Sequence, residues 1–276
     1  MGRLTGKVAL ISGAARGQGR SHAVRLAEEG ADIIAFDRCE PIGSVPYDLA
    51  TEADLDDTVK SVEALDRRIV ARKVDVRDTA GLAALVEEGV AEFGRLDCVA
   101  ANAGIMPLQP FAETSDELWE DVIGTNLTGV FKTVRAALPA MLAGGRGGSI
   151  VITSSTAGAK GVPNTAPYTA AKHGVIGLTR VIANEYGQHW IRANALLPTS
   201  VGTDMIFNQA TYSIMTGGVP DATREMAAPG FASLNTLPVP WIEPIDVSNA
   251  LVWLCSDEAR FITGAALSVD AGSIQK

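Results

Sequence analysis

Cysteine is scarce in this sequence, and the three residues present, Cys39, Cys98 and Cys255, show no pairing pattern. No two of them have the two-residue spacing that is typical of a zinc knuckle. The sequence therefore indicates neither a metal site nor a disulfide framework. We expect reduced thiols and a cytoplasmic protein.

Positive charge and long apolar runs are also lacking. Lysine and arginine together number 23 against 32 aspartate and glutamate residues, which gives a net charge of −9. Such a chain repels both the phosphates of nucleic acid and an anionic bilayer. The early apolar run at 8–11 is too short for a signal peptide, and no run reaches the length of about 18 residues that a membrane span needs. We therefore expect neither nucleic acid nor a membrane as a partner.

The sequence does contain a regular alternation of strand-like and helix-like segments. Apolar runs of strand length occur at 7–12, 32–36, 69–74, 96–101, 149–154, 192–197 and 266–269. Segments with helical character separate them, at 19–28, 79–93, 115–142, 168–186 and 244–255. This alternation predicts an α/β fold with a doubly wound parallel sheet of about seven strands. Without a repeat or a low-complexity linker, residues 1–276 are expected to form one domain.

Three glycines, Gly13, Gly17 and Gly19, follow the first strand at the entry to a helix. Glycine allows the backbone to turn sharply and approach a pyrophosphate, whose charge then lies at the N-terminus of the helix. The spacing alone is a weak signal. However, Asp37 ends the second strand, where a carboxylate can accept hydrogen bonds from the hydroxyls of an adenosine ribose. Together they predict a dinucleotide site; the alternative is a helix-capping turn with a surface aspartate.

Two arginines bear on which dinucleotide would bind. Arg16 and Arg38 could each pair with the 2′-phosphate of NADP. The carboxylate of Asp37 at the ribose would repel that phosphate, and this repulsion at close range outweighs the attraction of exposed guanidinium groups. We therefore predict NAD as the cofactor.

A second group of residues indicates proton transfer. Tyr168 and Lys172 are four residues apart and share a helix face, and Ser155 precedes the tyrosine by thirteen residues. A phenol transfers protons near neutral pH only if a cation stabilises its phenolate, which Lys172 would do. Ser155 would donate a hydrogen bond to the substrate oxygen. The alternative is an amphipathic helix with a packed tyrosine and a solvated lysine.

With these motifs in order, the whole chain resembles the short-chain dehydrogenase/reductase family. The resemblance implies a three-layer, Rossmann-like, doubly wound sheet, a homotetramer, and a catalytic tetrad of Asn126, Ser155, Tyr168 and Lys172. It also implies that Asn126 kinks its helix and holds a water that links Lys172 to solvent. The implied cofactor contacts are Gly13, Arg16, Gly17, Gln18, Gly19, Asp37, Arg38, Asp75, Val76, Asn102, Ala103, Gly104, Tyr168, Lys172, Pro198, Val201 and Thr203.

Two segments are longer than the alternation requires. Residues 38–65 begin with turn-forming residues and continue into an acidic helical stretch, and residues 199–241 are too apolar for a solvated loop. The first segment and the run Pro198–Val201 resemble a carveol-dehydrogenase-like, mycofactocin-associated subgroup, which implies NAD that scarcely exchanges. We therefore expect 38–65 to cover the cofactor, the alternative being a surface elaboration. We expect 199–241 to form a substrate lid, the alternative being a subunit interface.

The sequence thus predicts an NAD-dependent dehydrogenase for a hydrophobic secondary alcohol or ketone, cyclic or terpenoid-like. An NADH that is retained would require an external electron acceptor. One alternative is a carbonyl reductase of thioester-linked or other ketones. The apolar segment 199–241 argues against thioester-linked substrates, because Arg224 is its only basic residue available to a phosphate. Another is a non-catalytic NAD-binding sensor, because a fold does not fix a function.

Overall fold

A single parallel sheet organises the protein. The computed structural model describes residues 2–276. Its strands are β1 (Val8–Ser12), β2 (Asp32–Asp37), β3 (Ile69–Lys73), β4 (Cys98–Ala101), β5 (Gly148–Thr153), β6 (Ile191–Pro198) and β7 (Ala266–Val269). They lie in the order β3-β2-β1-β4-β5-β6-β7, and every neighbouring pair is parallel. The predicted doubly wound α/β fold is confirmed.

Helices cover both faces of this sheet. They are α1 (Gly17–Glu28), α2 (Glu52–Glu63), α3 (Thr79–Phe93), α4 (Asp116–Ile123), α5 (Gly129–Gly144), α6 (Ala166–Tyr186), α7 (Gln209–Met215), α8 (Arg224–Ser233) and α9 (Pro244–Cys255). Helices α1 and α9 contribute to the core on one face, and α3, α5 and α6 contribute to the core on the other. Within residues 2–276, no helix combines the length and the apolar character that crossing a bilayer requires.

The central strand β1 is covered on both faces, and its sequence is a continuous apolar run for that reason. Val8 and Leu10 pack into the core that includes α3 and α5, whereas Ala9 and Ile11 pack into the core that includes α1 and α9. All five residues of β1 are buried. A strand that is covered on both faces cannot alternate apolar and polar residues, because each face needs an apolar side chain.

The strand order reverses beside β1, and this reversal positions the site. Strand β1 lies between β2 and β4, so the chain leaves the carboxyl ends of β1 and β4 toward opposite sides of the sheet. Such a reversal opens a crevice at the carboxyl edge of the sheet. The glycine-rich turn after β1, Asp37 at the end of β2 and Asn102 after β4 therefore meet at one place.

The observed helices differ from the prediction in two places. The predicted helix 115–142 consists of α4, a π-helical turn at Gly124–Thr128, and α5. A π-turn accommodates an extra residue and is found mostly at functional sites, and this one contains the buried Asn126. Helices α7 and α8 lie within 199–241, where composition alone predicted only an apolar segment. The expected acidic helix after Thr51 is α2, which Thr51 and Asp54 cap reciprocally.

Candidate active site

The glycine-rich turn after β1 is too compact to accept larger residues. Gly13 has a φ of +66° and Gly17 a φ of +55°, a region that residues with a Cβ seldom adopt. A Cβ at Gly13 would lie 2.8 Å from the Cα of Ala103, and a Cβ at Gly19 would collide with the Gly13 carbonyl. The turn therefore leaves open space above the N-terminus of α1, whose first N–H groups have no acceptor within the helix.

Asp37 is fixed at the edge of the same crevice. Its Oδ2 accepts a hydrogen bond from the Ala15 N–H at 3.1 Å, and its Oδ1 accepts one from the Cys39 N–H at 3.2 Å. Burial raises the pKa of the Asp37 carboxyl, and the backbone N–H groups that bond to it act in the opposite direction. A carboxylate is thus held at the position where the sequence predicts the adenosine ribose of a dinucleotide.

Both arginines that could have met a 2′-phosphate are paired with carboxylates. Arg38 donates to Asp75 Oδ2 at 2.8 Å. Arg16 lies 2.9 Å from Asp204 Oδ2 and also donates to the carbonyl oxygen of Asp48. These carboxylates offset part of the positive charge that a 2′-phosphate would need, while other N–H groups remain available, among them Arg38 Nε, which is buried without a hydrogen-bond partner within residues 2–276.

Tyr168, Lys172 and Ser155 line one cavity, although Tyr168 and Lys172 lie on α6 and Ser155 lies just after the end of β5. Tyr168 is only 8% exposed and Lys172 only 3% exposed. The Lys172 Nζ donates to the carbonyl oxygen of Thr153 at 2.6 Å and lies 5.5 Å from the centroid of the Tyr168 ring. The constellation that the sequence predicted is therefore assembled in space.

The two titratable groups of this constellation are perturbed by burial. Burial lowers the pKa of the Lys172 ammonium to about 8. Burial also raises the pKa of the Tyr168 phenol, and the Ser155 side chain acts in the opposite direction. The sequence predicts that Lys172 lowers the pKa of the Tyr168 phenol, but in this structure the ammonium donates to Thr153 and desolvation is the largest influence on the phenol.

The side chain of Asn126 forms two hydrogen bonds with the backbone of Ile105. Its Oδ1 accepts from the Ile105 N–H at 2.9 Å, and its Nδ2 donates to the Ile105 carbonyl at 2.8 Å. A Cβ on Gly104 would lie 3.4 Å from Asn126 Oδ1 and 3.7 Å from Lys172 Nζ. Asn126 thus fixes the loop after β4 next to Lys172. The water that it is expected to hold stays a prediction.

The segment 38–65 contributes residues that the sequence analysis missed. The Tyr47 hydroxyl accepts a hydrogen bond from the Met106 N–H at 2.9 Å, and Ser44 donates to Asp121 Oδ2 at 2.7 Å. Burial raises the pKa of Tyr47 to about 12. These partners lie about sixty and eighty residues away along the chain, so no local sequence pattern could have shown them.

The predicted residues line two adjoining cavities. The first, of about 160 Å³, is lined by the glycine-rich turn, Asp37, Arg38, Asp75, Val76, Asn102, Ala103 and Gly104. The second, of about 460 Å³, is lined by Ser155, Tyr168, Lys172, Pro198, Val201 and apolar residues of 199–241. Both cavities are lined by Gln18, Asn102, Gly104, Thr203 and Met205, so they adjoin along these residues. Among the predicted residues, Asn126 alone lines neither.

Comparison with known proteins identifies the family. The family model described as short chain dehydrogenase matches residues 7–211. The chain belongs to the short-chain dehydrogenase family. The predicted resemblance is confirmed.

Individual members of the short-chain dehydrogenase family match along the whole chain. The (−)-trans-carveol dehydrogenase of Rhodococcus erythropolis is 50% identical over 278 residues, which cover 100% of both chains. The crystal structure of carveol dehydrogenase from Mycobacterium avium in complex with NAD has a TM-score of 0.99 at 53% identity, with 100% of both chains covered. A short chain dehydrogenase from Mycobacterium paratuberculosis bound to NAD has a TM-score of 0.92 at 45% identity, again with 100% of both covered.

The buried Lys172 should make the stability of this short-chain dehydrogenase depend on pH. Between its folded pKa of about 8 and the ordinary value of 10.5, the unfolded chain binds more protons than the folded chain. The free energy of unfolding therefore rises with pH through that window. Relative to Lys172→Met, the wild type should gain roughly 2 kcal/mol between pH 7.5 and 9.5 in urea unfolding.

The exposed Lys60 provides the control for this measurement, because Lys60→Met should follow the wild type over the same pH range. Parallel curves for the wild type and Lys172→Met would mean that Lys172 titrates at its ordinary pKa in the folded chain.

Proposed function

We propose that this protein is an NAD-dependent oxidoreductase that interconverts a hydrophobic, cyclic or terpenoid-like secondary alcohol and its ketone. The observation that carries the proposal is the apolar 460 Å³ cavity, which places Ser155, Tyr168 and Lys172 beside the dinucleotide cleft. Relatives that are 50% and 53% identical and named carveol dehydrogenase support the substrate class. The alternative of a thioester-linked substrate gains no support. Its phosphate would need Arg224, but the Arg224 guanidinium stacks over the ring of Phe207 at 3.8 Å and over that of Trp241 at 4.5 Å.

The residues of the cleft fit NAD. Within residues 2–276, Gln18 Oε1 and Thr125 Oγ1 are buried without a hydrogen-bond partner, and both residues line the cleft. The glycine-rich turn with Arg16 and Gln18 would hold the pyrophosphate, and Asp37 would hold the adenosine ribose. The remaining contacts would come from Arg38, Asp75, Val76, Asn102, Ala103, Gly104, Tyr168, Lys172, Pro198, Val201 and Thr203. When bound, NAD supplies the hydride acceptor at its nicotinamide ring.

Side chains of the protein would accept the hydroxyl proton of the alcohol and bind its oxygen. Tyr168 would take the hydroxyl proton of the alcohol, and Ser155 would donate a hydrogen bond that orients the same oxygen. Lys172 keeps positive charge near the phenol and would favour its deprotonated form once the phenolate develops. Its short bond to Thr153 fixes the ammonium in this position.

Tyr168→Phe tests this assignment. The variant should lower kcat by at least about a hundredfold, because a general acid or base contributes roughly 10²–10⁴ to a rate. The dissociation constant for NAD should stay within about threefold. Tyr186→Phe, on the same helix but outside both cavities, is the control. Turnover of Tyr168→Phe within threefold of the wild type would contradict the mechanism.

Asp37→Ala tests the choice of cofactor. Removing the carboxylate should lower the preference for NAD over NADP by at least about tenfold, measured as the ratio of the two dissociation constants. The change should be incomplete, because Arg38 stays paired with Asp75 and Arg16 with Asp204. Asp57→Ala removes the same charge from the exposed face of α2 and should leave the ratio unchanged. If Asp37→Ala also leaves it unchanged, Asp37 does not lie at the ribose.

We further propose that residues 38–65 cover the bound cofactor. The segment is attached on the far side of the cleft by Tyr47 to the Met106 N–H and by Ser44 to Asp121. Ile42 packs in one cluster with Ile105 and Tyr168, and Arg16 bonds to the Asp48 carbonyl. A covered NADH would then be re-oxidised in place by an external electron acceptor.

Tyr47→Phe tests the cover. The variant keeps the ring but loses the oxygen that accepts from the Met106 N–H. The dissociation rate of NAD should rise at least about fivefold while the association rate changes by less than about twofold, since the barrier to release is what the cover raises. Stopped-flow fluorescence measures both rates, with Tyr186→Phe as the control. An unchanged dissociation rate would make the segment a surface elaboration.

We propose that residues 199–241 act as the substrate lid, and that the protein is a homotetramer. The lid is supported by Met205, Ile206, Met215 and Phe231, which line the apolar cavity. The tetramer is supported by large apolar side chains that the single chain leaves exposed, among them Trp119, Phe131 and Phe261. The cytoplasmic location stays a prediction.

A further inference from the structure

The charge of the substrate cavity is opposite to that of the protein. The chain carries a net charge of −9, yet no aspartate or glutamate is among the residues that line the 460 Å³ cavity. Two lysines line it, Lys160 and Lys172. Lys172 is accounted for by its place beside Tyr168. Lys160 has no role in the proposed proton transfer.

Lys160 has donor capacity that the protein does not use. Its Nζ donates to the carbonyl oxygen of Ser273 and lies 3.4 Å from the Ser273 hydroxyl. In the part of the chain that the structure describes, residues 2–276, no carboxylate lies within 4.0 Å of this ammonium. An ammonium has three N–H donors, so at least one remains for a ligand in the cavity.

A purely structural role does not require a cation at this position. A neutral hydroxyl or amide could bond to the Ser273 carbonyl, whereas the half-buried Lys160 brings a positive charge to the wall of an apolar cavity. Ser273 is only 3% exposed, so the ammonium is held against a buried segment. An anionic group on the substrate would supply the partner that this ammonium lacks within residues 2–276.

We infer that the substrate carries a carboxylate, which binds Lys160, on an apolar body whose secondary hydroxyl reaches Ser155 and Tyr168. This inference rests on the proposed function and narrows its substrate class to apolar hydroxy acids and the corresponding keto acids. The carboxylate would take the free N–H of Lys160 as a charge-assisted hydrogen bond. It would also offset one of the two positive charges that line the cavity.

A matched pair of alcohols tests the inference with the purified holoenzyme. The probes are trans-4-hydroxycyclohexanecarboxylate and trans-4-methylcyclohexanol. Both are cyclohexanols, and they differ only in that the first carries a carboxylate where the second carries a methyl group. The wild type should oxidise the acid with a kcat/KM at least about tenfold higher. Lys160→Met should lower kcat/KM for the acid at least about tenfold and leave that for the methyl compound within about threefold. Lys160→Arg should recover part of the preference, because it restores the charge.

Two results would overturn the inference: a wild type that prefers the methyl compound, or a Lys160→Met variant that loses activity equally on both. Equal loss would indicate that Lys160 only positions the Ser273 segment. If the wild type oxidises neither alcohol, the proposed substrate class is wrong, and calorimetric binding of cyclohexanecarboxylate decides the role of Lys160 separately. Binding that weakens at least about tenfold in Lys160→Met supports the anion site, whereas no binding or equal binding refutes it.

Discussion

Ser12 joins the carboxyl ends of β1 and β4, and the two cavities depend on this junction. Its Oγ accepts hydrogen bonds from the N–H groups of Asn102 at 2.9 Å and Ala103 at 3.0 Å. Asn102 bonds back to the Ser12 carbonyl through Nδ2 and accepts from Thr153 Oγ1 at 3.3 Å. Thr153 in turn accepts from Lys172. One line of hydrogen bonds thus connects the glycine-rich turn to the ammonium beside Tyr168, and it fixes the distance between the two cavities.

Burial of Lys172 and Tyr168, at the end of this series of hydrogen bonds, determines the chemistry that the site can perform. Because Lys172 is desolvated, its pKa lies near 8 and its charge is costly, so the ammonium gains from any negative charge that develops nearby. Tyr168 is desolvated as well, which raises its pKa in this structure. Desolvation thus disfavours the ionised form of each group, so each would gain from an opposite charge on the other. The proposed proton transfer requires the two side chains to stay adjacent, and the hydrogen bond from Lys172 to the Thr153 carbonyl holds the lysine in place.

The sequence predicts the elements of this fold that rest on local composition. Continuous apolar runs located the strands that are buried on both faces, because such a strand needs apolar side chains on each face. The edge strands β3 and β7 are partly exposed, and shorter apolar stretches located them. The spacing of Tyr168 and Lys172 located the two side chains of the proposed proton-transfer group, because residues at this interval share a helix face. The partners of Tyr47 and Arg16 were not predictable, since they are pairings between distant segments. Periodicity alone predicted one unbroken helix at 115–142, and only the family resemblance implied an irregularity at Asn126, which lies in the π-turn Gly124–Thr128. Helices α7 and α8 were missed because their short stretches carry little periodicity.

Arg16 connects the two segments that enclose the site. Its guanidinium bonds to the Asp48 carbonyl in 38–65 and to Asp204 in 199–241, so it contacts the proposed cover and the proposed lid together. The two attachments are unequal. The cover also has the Tyr47 and Ser44 hydrogen bonds and the packing of Ile42, whereas the Asp204 side chain is mostly exposed, and an exposed ion pair contributes about 1 kcal/mol or less. The lid has anchors of its own, because Thr199 donates to Asn235 Oδ1 at 2.8 Å and Phe231 is buried in one cluster with Ile206 and Ala227. Losing the Arg16–Asp204 pair therefore leaves both segments attached to the fold, and what it removes is the bridge that Arg16 makes between them.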